Sequence, residues 1–431
     1  MSYIPQRIFE SAFAWSPQAE TAFGTQVADA FFTHGCQPQG FDPPGITRQF
    51  RSDAGKAWGQ GADRVTTRAI IRQDIAYALN FELSALLAAH VAGCCMGKVV
   101  STLLAAGPPA AYKHVISFQD PIIDGLDLPS TGHWFKPADD LGLKTKGAVC
   151  SEFSLGYSAG QPLISLNSNW LGNGDYVNAD LAAIPPLDTD VIMGTLFEKG
   201  LDIRLGAPAA ATSIADRVAA ISLQVGNGVG ETERHYPGTG LYGGRAWQGK
   251  RIINPSLTVF AKATDDIHTL FELDTEQELE IEITGELITG TSYFSVLIVI
   301  PSLQFANALK IGAQGNFVAW ELSPTDEGVF QKFISKVIDA APTGAVRASN
   351  VVTITTTASH GANPGDYVTI AGVTDSSFNG SFYIASTPAP TTFTYAQTAT
   401  DAGSGAGTAE IKVAPIRMTV VNKEEDFLLT S

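Results

Sequence analysis

The sequence predicts a mainly β protein with few helices, and three observations carry that prediction. First, two stretches alternate strictly. Ile75, Tyr77, Leu79, Phe81 and Leu83 alternate with other residues, and Leu279, Ile281 and Ile283 oppose Glu278, Glu280 and Glu282. Second, Val149 to Gly174 reads as one long hairpin, turning at Ser158-Ala159-Gly160-Gln161. Third, the stretch from Ala348 to Ala409 holds thirteen Thr, three acidic residues and no Lys or Arg, the composition of a small all-β insert.

Each element follows in order. Ser16-Pro17 looks like a helix start, and Glu20, Phe23, Val27, Ala30 and Phe31 follow at helical spacing. Gly35 to Gly61 is rich in Gly, Pro, Gln and Arg without a period, too long for an ordinary connection, so it reads as an irregular arm. Regular structure resumes at Val65. In the hairpin, Phe153, Leu155 and Tyr157 share a face, as do Leu163, Ser165 and Asn167 after the turn. A weaker echo runs from Ala220 to Val225, through Gly226-Asn227-Gly228-Val229-Gly230, with a polar return to Pro237-Gly238. Both end in glycine-rich turns, so an internal duplication of one β-rich unit is expected. Gln277 to Glu286 gives a strand with one dry and one acidic face. In the insert, strands at Val351–Thr355, Tyr367–Ile370, Phe382–Ile384 and Thr392–Tyr395 are separated by turn residues such as Asn363-Pro364-Gly365. A last strand at Ile416–Val421 places the insert just ahead of the end of the preceding domain.

Composition narrows the function classes. At 431 residues, about three domains at ~150 residues each are expected. Charged residues are 16%, against about 25% in ordinary globular chains, which favours burial against other subunits. A net charge of -16 argues against a protein that grips nucleic acid through phosphates. No run reaches the ~18 apolar residues of a spanning helix. Met1 to Arg7 has no apolar signal core, and four cysteines make no disulfide framework, so a soluble protein made in a reducing cytoplasm is expected.

The motifs that could carry chemistry are weak. Gly156-Tyr157-Ser158-Ala159-Gly160 matches a nucleophile elbow, but a strand with an early proline follows it where a helix is required. The glycines of Gly226 to Gly230 have the wrong spacing for a dinucleotide loop. His34, Cys36, His90, Cys94 and Cys95 include no CxxC pair and read as buried structural residues rather than zinc ligands. Glu278, Glu280 and Glu282 project in parallel about 7 Å apart, so they do not converge on one bond as glycosidase carboxylates do. They form either a solvated face or an acidic stripe with a purpose. Arg48, Arg51, Lys56, Arg64, Arg68 and Arg72 form one basic cluster, partly offset by Asp53 and Asp63, suited to a solvated loop first, then to an acidic neighbour, and least to direct DNA binding. No catalytic residue, cofactor site or metal site is expected.

The stretch Thr145 to Leu155, continuing through Asn169-Trp170-Leu171-Gly172-Asn173-Gly174, resembles the tail tube (major tail) proteins of long-tailed bacteriophages. Glu20 to Thr25, leading to Arg68-Ala69-Ile70-Ile71, resembles their arm. The likeness covers about 360 residues. The Thr-rich insert separately resembles the immunoglobulin-like modules that decorate phage tails. The resemblance implies tube-type β-sandwich or half-barrel lobes at 1–185 and 186–344, the second completed by 413–431, with an immunoglobulin-like β-sandwich at 345–412. It further implies stacked rings forming a conduit for genomic DNA without sequence-specific contact, located in the virion tail and assembled in the host cytoplasm. Expected partners are copies of itself, three two-lobed chains or six chains per ring, and other tail proteins, with no membrane. In that setting Glu278, Glu280 and Glu282 are candidates for a lumen-facing stripe, and Arg48, Arg51, Arg64 and Arg68 for an inter-subunit arm. An adhesin or carbohydrate-binding protein using aromatics such as Tyr383 and Tyr395 stands as the alternative.

Overall fold

The computed structural model describes residues 12–25, 32–35, 45–52, 68–120, 124–125, 127–138, 141–178, 194–208, 210–230, 235, 242–245, 247–262, 276–305, 310–314, 317–324, 329, 331–425 and 427. The fold is mainly β. The body strands are β1 (Ala12–Trp15), β2 (Phe32–Gly35), β3 (Gly45–Ser52), β4 (Arg68–Glu82), β5 (Gly97–Ala105), β6 (Ala111–Phe118), β7 (His133–Ala138), β8 (Leu141–Thr145), β9 (Val149–Ser158), β10 (Ser165–Gly172), β11 (Tyr176–Asn178), β12 (Leu201–Gly206), β13 (Thr212–Ser213), β14 (Val218–Gly226), β15 (Ile252–Phe260), β16 (Gln277–Thr289), β17 (Ser292–Leu303), β18 (Lys310–Gln314) and β19 (Phe317–Leu322). The insert adds β20 (Lys332–Val337), β21 (Ala345–Ala348), β22 (Val351–Thr355), β23 (Tyr367–Ala371), β24 (Gly380–Tyr383), β25 (Ser386–Ala389), β26 (Thr392–Ala396), β27 (Ala402–Ser404) and β28 (Thr408–Val413), and β29 (Arg417–Asn422) returns to the body.

Two large antiparallel sheets face each other across one core. The eight-stranded sheet has the order β18-β19-β15-β14-β9-β10-β4-β3, and the seven-stranded sheet the order β13-β12-β16-β17-β29-β6-β5. Alternation dictates the packing. Leu79, Phe153, Leu166, Leu223 and Val259 point inward from the first sheet, and Ile203, Ile281, Val296, Met418 and Ile116 from the second. A five-stranded sheet, β11-β8-β7-β1-β2, adds Phe13, Trp15 and Phe135 to the same cluster. Chain segments on both sides of residue 185 contribute to both large sheets and to one continuous core. In the eight-stranded sheet they meet at the seam between β9 and β14, where Leu155 pairs with Leu223. From that seam each half supplies four strands, one half β9, β10, β4 and β3, the other β14, β15, β19 and β18.

The helix α1 (Ala85–Met96) lies between the sheets, with every residue buried. A helix apolar on all sides has no exposed stripe to give it an amphipathic period, and sequence reading passed over it. Gly97, at φ 89°, ends it by donating its N–H to the Gly93 carbonyl. The expected helix after Ser16 is corrected. Residues 16–25 form bends and a turn, because Glu20 is buried and accepts from the Gly24 and Gly147 amides and the Ser130 hydroxyl. Burial raises the Glu20 pKa. Val27, Ala30 and Phe31 lie outside the described residues.

Three further expectations change. The arm holds a regular strand, β3, which pairs along β4 from Gly45↔Ala76 to Ser52↔Arg68, and β4 itself begins at Arg68. The second hairpin returns on β15, Gly226 pairing with Ile252, rather than near Pro237-Gly238, which lies outside the described residues. The insert begins earlier than its composition break, because β20 pairs with β28 through Ile334↔Ile411. Two sheets, β20-β28-β23-β24 and β25-β26-β22-β21-β27, enclose a core of their own with Val352, Ile354, Phe393, Tyr395 and Ile411. The last strand, β29, runs between β17 and β6 and so locks the insert into the seven-stranded sheet.

A polar thread crosses the body core. His90 Nε2 lies 3.0 Å from His133 Nε2, and His133 Nδ1 lies 2.8 Å from the Tyr77 hydroxyl. Among the described residues His90 Nδ1 has no partner. If His90 donates to His133 and His133 donates to Tyr77, the orphan is an acceptor, which costs less than a buried N–H. Burial pushes His90 down to about 3 and His133 well below its ordinary value, so both imidazoles are neutral.

Candidate functional site on the two outer faces

With the inner faces sealed together, chemistry is left to the outer faces. On the eight-stranded sheet, residues in register form rows across the strands. One row runs Asn80, Asn167, Ser154, Gln224 and Asn254. A second runs Glu82, Ser165, Gly156, Ser222 and Ser256. A third includes Ala78, Asn169, Glu152, Gly226 and Ile252. Each alternates with a buried apolar neighbour, so the pleat that built the core also built this surface. Across β15, β14, β9, β10 and residues 76–82 of β4, this face carries no lysine or arginine, and its acids are Glu82 and Glu152. The result is a broad, flat surface of small amides, hydroxyls and glycines with a slight negative charge.

The outer face of the seven-stranded sheet is different. Here lie Glu278, Glu280 and Glu282 on β16, half-buried, with Leu279, Ile281 and Ile283 beneath them. Arg204 on β12 gathers the charge of Glu280 and Glu282. Its Nη1 lies 3.1 Å from Glu280, its Nη2 2.8 Å from Glu282 and its Nε 2.8 Å from Asp202. Those contacts, Glu280 first, hold Arg204 above its ordinary pKa. Arg204 is not among the residues that the sequence singled out as candidates. The signal was present in Asp202-Ile203-Arg204, whose alternation matches a strand that pairs Arg204 with Glu280.

The insert sits on this same face. Asp366, at 0% side-chain exposure, accepts from Arg417 of β29 at 2.6 Å. Lys412 reaches Asp120 at 2.7 Å, and the Tyr383 hydroxyl donates to Asp124. Lys98 pairs with Asp124 at 3.2 Å and lies over the Tyr383 ring. Tyr383 is therefore engaged at the junction, and Tyr395 is fully buried with its hydroxyl on the Phe378 carbonyl. Neither is the exposed aromatic that a sugar-binding face needs.

The basic arm is only partly described. Arg48 is exposed on β3 and donates to Gln73 Oε1 at 2.9 Å. Arg51 lies on β3 and Arg68 opens β4, their side chains outside the described residues, as is all of Arg64. Arg72 pairs with Asp74, which also accepts from His235. Ser158 ends β9 and Gly160, at φ 86°, makes the following turn. Gly226 ends β14, and β15 follows with no helix between them among the described residues. Cys94, Cys95 and Cys150 are buried free thiols, and no group of metal-ligating side chains occurs among the described residues. His34 lies on β2, and Cys36 lies outside the described residues. No helix among the described residues is long and apolar enough to cross a membrane.

No protein-family model matches this chain, and no curated protein matches it in sequence.

Proposed function

We propose that the chain is a structural subunit that assembles into a hollow tube, the tail tube of a bacteriophage, with the eight-stranded sheet lining the lumen. The observation that carries this reading is the polar centre of that sheet, free of cations across β15, β14, β9, β10 and residues 76–82 of β4, with Arg68 and Arg72 lying further along β4. Cations would hold a passing duplex through its phosphates, whereas amides, hydroxyls and scattered carboxylates leave it hydrated and free to slide. The insert and the Arg204-clasped glutamates occupy the opposite face of the sandwich. They point away from the lumen in this arrangement, so Glu278, Glu280 and Glu282 belong to the outer wall.

Two further observations favour self-assembly. The edge strand β5 carries Lys98 as its sole charge and exposes Leu103 at 57% and Leu104 at 50%, an edge that no other strand among the described residues covers. Among the described residues the eight-stranded sheet also ends in unpaired edges, β3 and β18, on opposite sides. Joining such edges head to tail closes a ring. Its size follows from strand spacing. Three chains give 24 strands, and at ~4.8 Å spacing and ~40° tilt the backbone radius is roughly 24 Å, leaving an opening of about 35 Å for a duplex about 20 Å wide. Six chains would open the ring to roughly 85 Å by the same geometry, far wider than a duplex needs. The reading therefore favours three chains per ring, decorated outside by the insert.

Electron microscopy of the purified protein at high concentration tests this directly. Uniform tubes with threefold rings are expected. A protein that stays monomeric and is missing from virion tails refutes the proposal, and sixfold rings refute the stoichiometry. The arm is expected to dock on an adjacent subunit, so reversing Arg64 and Arg68 to Glu blocks polymerisation and leaves the monomer folded.

A further inference from the structure

The junction between insert and body forms a cleft, open to solvent on one side, of about 30 Å³, room for one or two waters or a small ion. The body contributes Phe118, Asp120 and Arg251 to its wall, and the insert contributes Asp366, Tyr367 and Lys412. The acids here are already matched. Asp120 holds Lys412, Asp366 holds Arg417 and Asp124 holds Lys98. Arg251 is the cation left over. Its Nη2 donates to the Gln119 carbonyl at 2.8 Å, its guanidinium lies 5.1 Å from the Phe118 ring centre, and it makes no ion pair among the described residues. Burial works against its charge, opposed chiefly by the more distant Asp120. An excess positive charge in a partly dry cleft is costly unless an anion joins it.

We propose that this cleft binds one small monovalent anion of the halide class, held between Arg251 of the body and Lys412 of the insert. Charge sets the preference, because one negative charge offsets the one cation left over, whereas a doubly charged phosphate or sulfate brings an excess beside Asp120 and Asp366. Position sets the consequence. The ion touches both units, so its binding strengthens the docking of the insert and stabilises the folded chain in proportion to occupancy. The inference is independent of tube assembly.

The test uses the intact protein at constant ionic strength, with sodium chloride exchanged stepwise for sodium gluconate. A saturable rise of roughly 2 °C in the unfolding midpoint with chloride is expected. Arg251→Gln removes the dependence, and Arg251→Lys, which keeps the cation, retains part of it. Anomalous diffraction from crystals grown in bromide places a peak between Arg251 and Lys412. A midpoint indifferent to chloride, a dependence that Arg251→Gln preserves, or a cleft without the bromide peak overturns the proposal.

Discussion

The two outer faces of the sandwich come from strands of the same alternating pattern, yet they carry opposite chemistry. The centre of the eight-stranded sheet presents Asn, Ser, Gln and Gly in rows. The seven-stranded sheet presents charge, and each described charge at its centre has a partner: Arg204 with Glu280 and Glu282, Arg417 with Asp366, Lys412 with Asp120. The lesson is that a cross-strand or cross-junction partner, not the strand pattern, accompanies each charge that is kept. Where the insert covers the sheet, charges are paired and ordered. Across the centre of the eight-stranded sheet, from β15 to residues 76–82 of β4, they are nearly absent.

That contrast can be broken most forcefully at the insert. Asp366→Ala leaves Arg417 buried without its carboxylate, and a loss of about 3–5 kcal/mol is expected in urea unfolding. A loss under about 1 kcal/mol means the junction is wet and the contrast between the faces is smaller than described.

The core beneath both faces responds to acid. His90 and His133 have folded pKa values below that of the unfolded chain, so the unfolded state takes up protons first as pH falls. Their contribution is intact above about 6.5 and declines below it, by roughly 2 kcal/mol between pH 6.5 and 5.5 for the pair. Glu20, with a raised pKa, acts in the opposite direction. Unfolding free energy measured against pH, with His90→Gln flattening the slope, checks this.

The bare face predicts a functional effect larger than its structural one. Ser222→Lys with Gln224→Lys is expected to change stability by no more than about 0.5 kcal/mol per site. In assembled tubes the same pair slows DNA release, and added salt relieves the delay. Release at the parental rate removes the lumen assignment.

The smallest effects belong to the margins. Leu103→Lys with Leu104→Lys reduces self-association in sedimentation with little change in unfolding. Arg204→Ala costs under about 1 kcal/mol, since its partners are half-exposed. If Arg204→Ala blocks assembly while Leu103→Lys does not, the subunit contacts lie on the charged edge of the seven-stranded sheet instead.

Much of this was legible in the chain. The alternation at Ile75 to Leu83 and at Leu279 to Ile283 fixed which side chains enter the core, because the strand period is two and one face must be dry. The Thr-rich insert announced its strands through turn residues. The buried helix at Ala85–Met96 was invisible, since only its position between two sheets distinguishes it from a buried strand. The candidate lumen face was equally hidden. Asn80, Ser154, Gln224 and Asn254 are unremarkable in sequence and form one row only when β4, β9, β14 and β15 are brought together.

By itself, the sequence determined local alternation, turn positions, the independent composition of the insert and a surface poor in charge. Tertiary structure alone decided that segments on both sides of residue 185 share one core, that Arg204 clasps the acidic strand, and that the insert and that strand lie on one face. The physical reason is that side-chain direction is a local property of the backbone, whereas the neighbours a side chain meets depend on pairings between residues far apart in the chain.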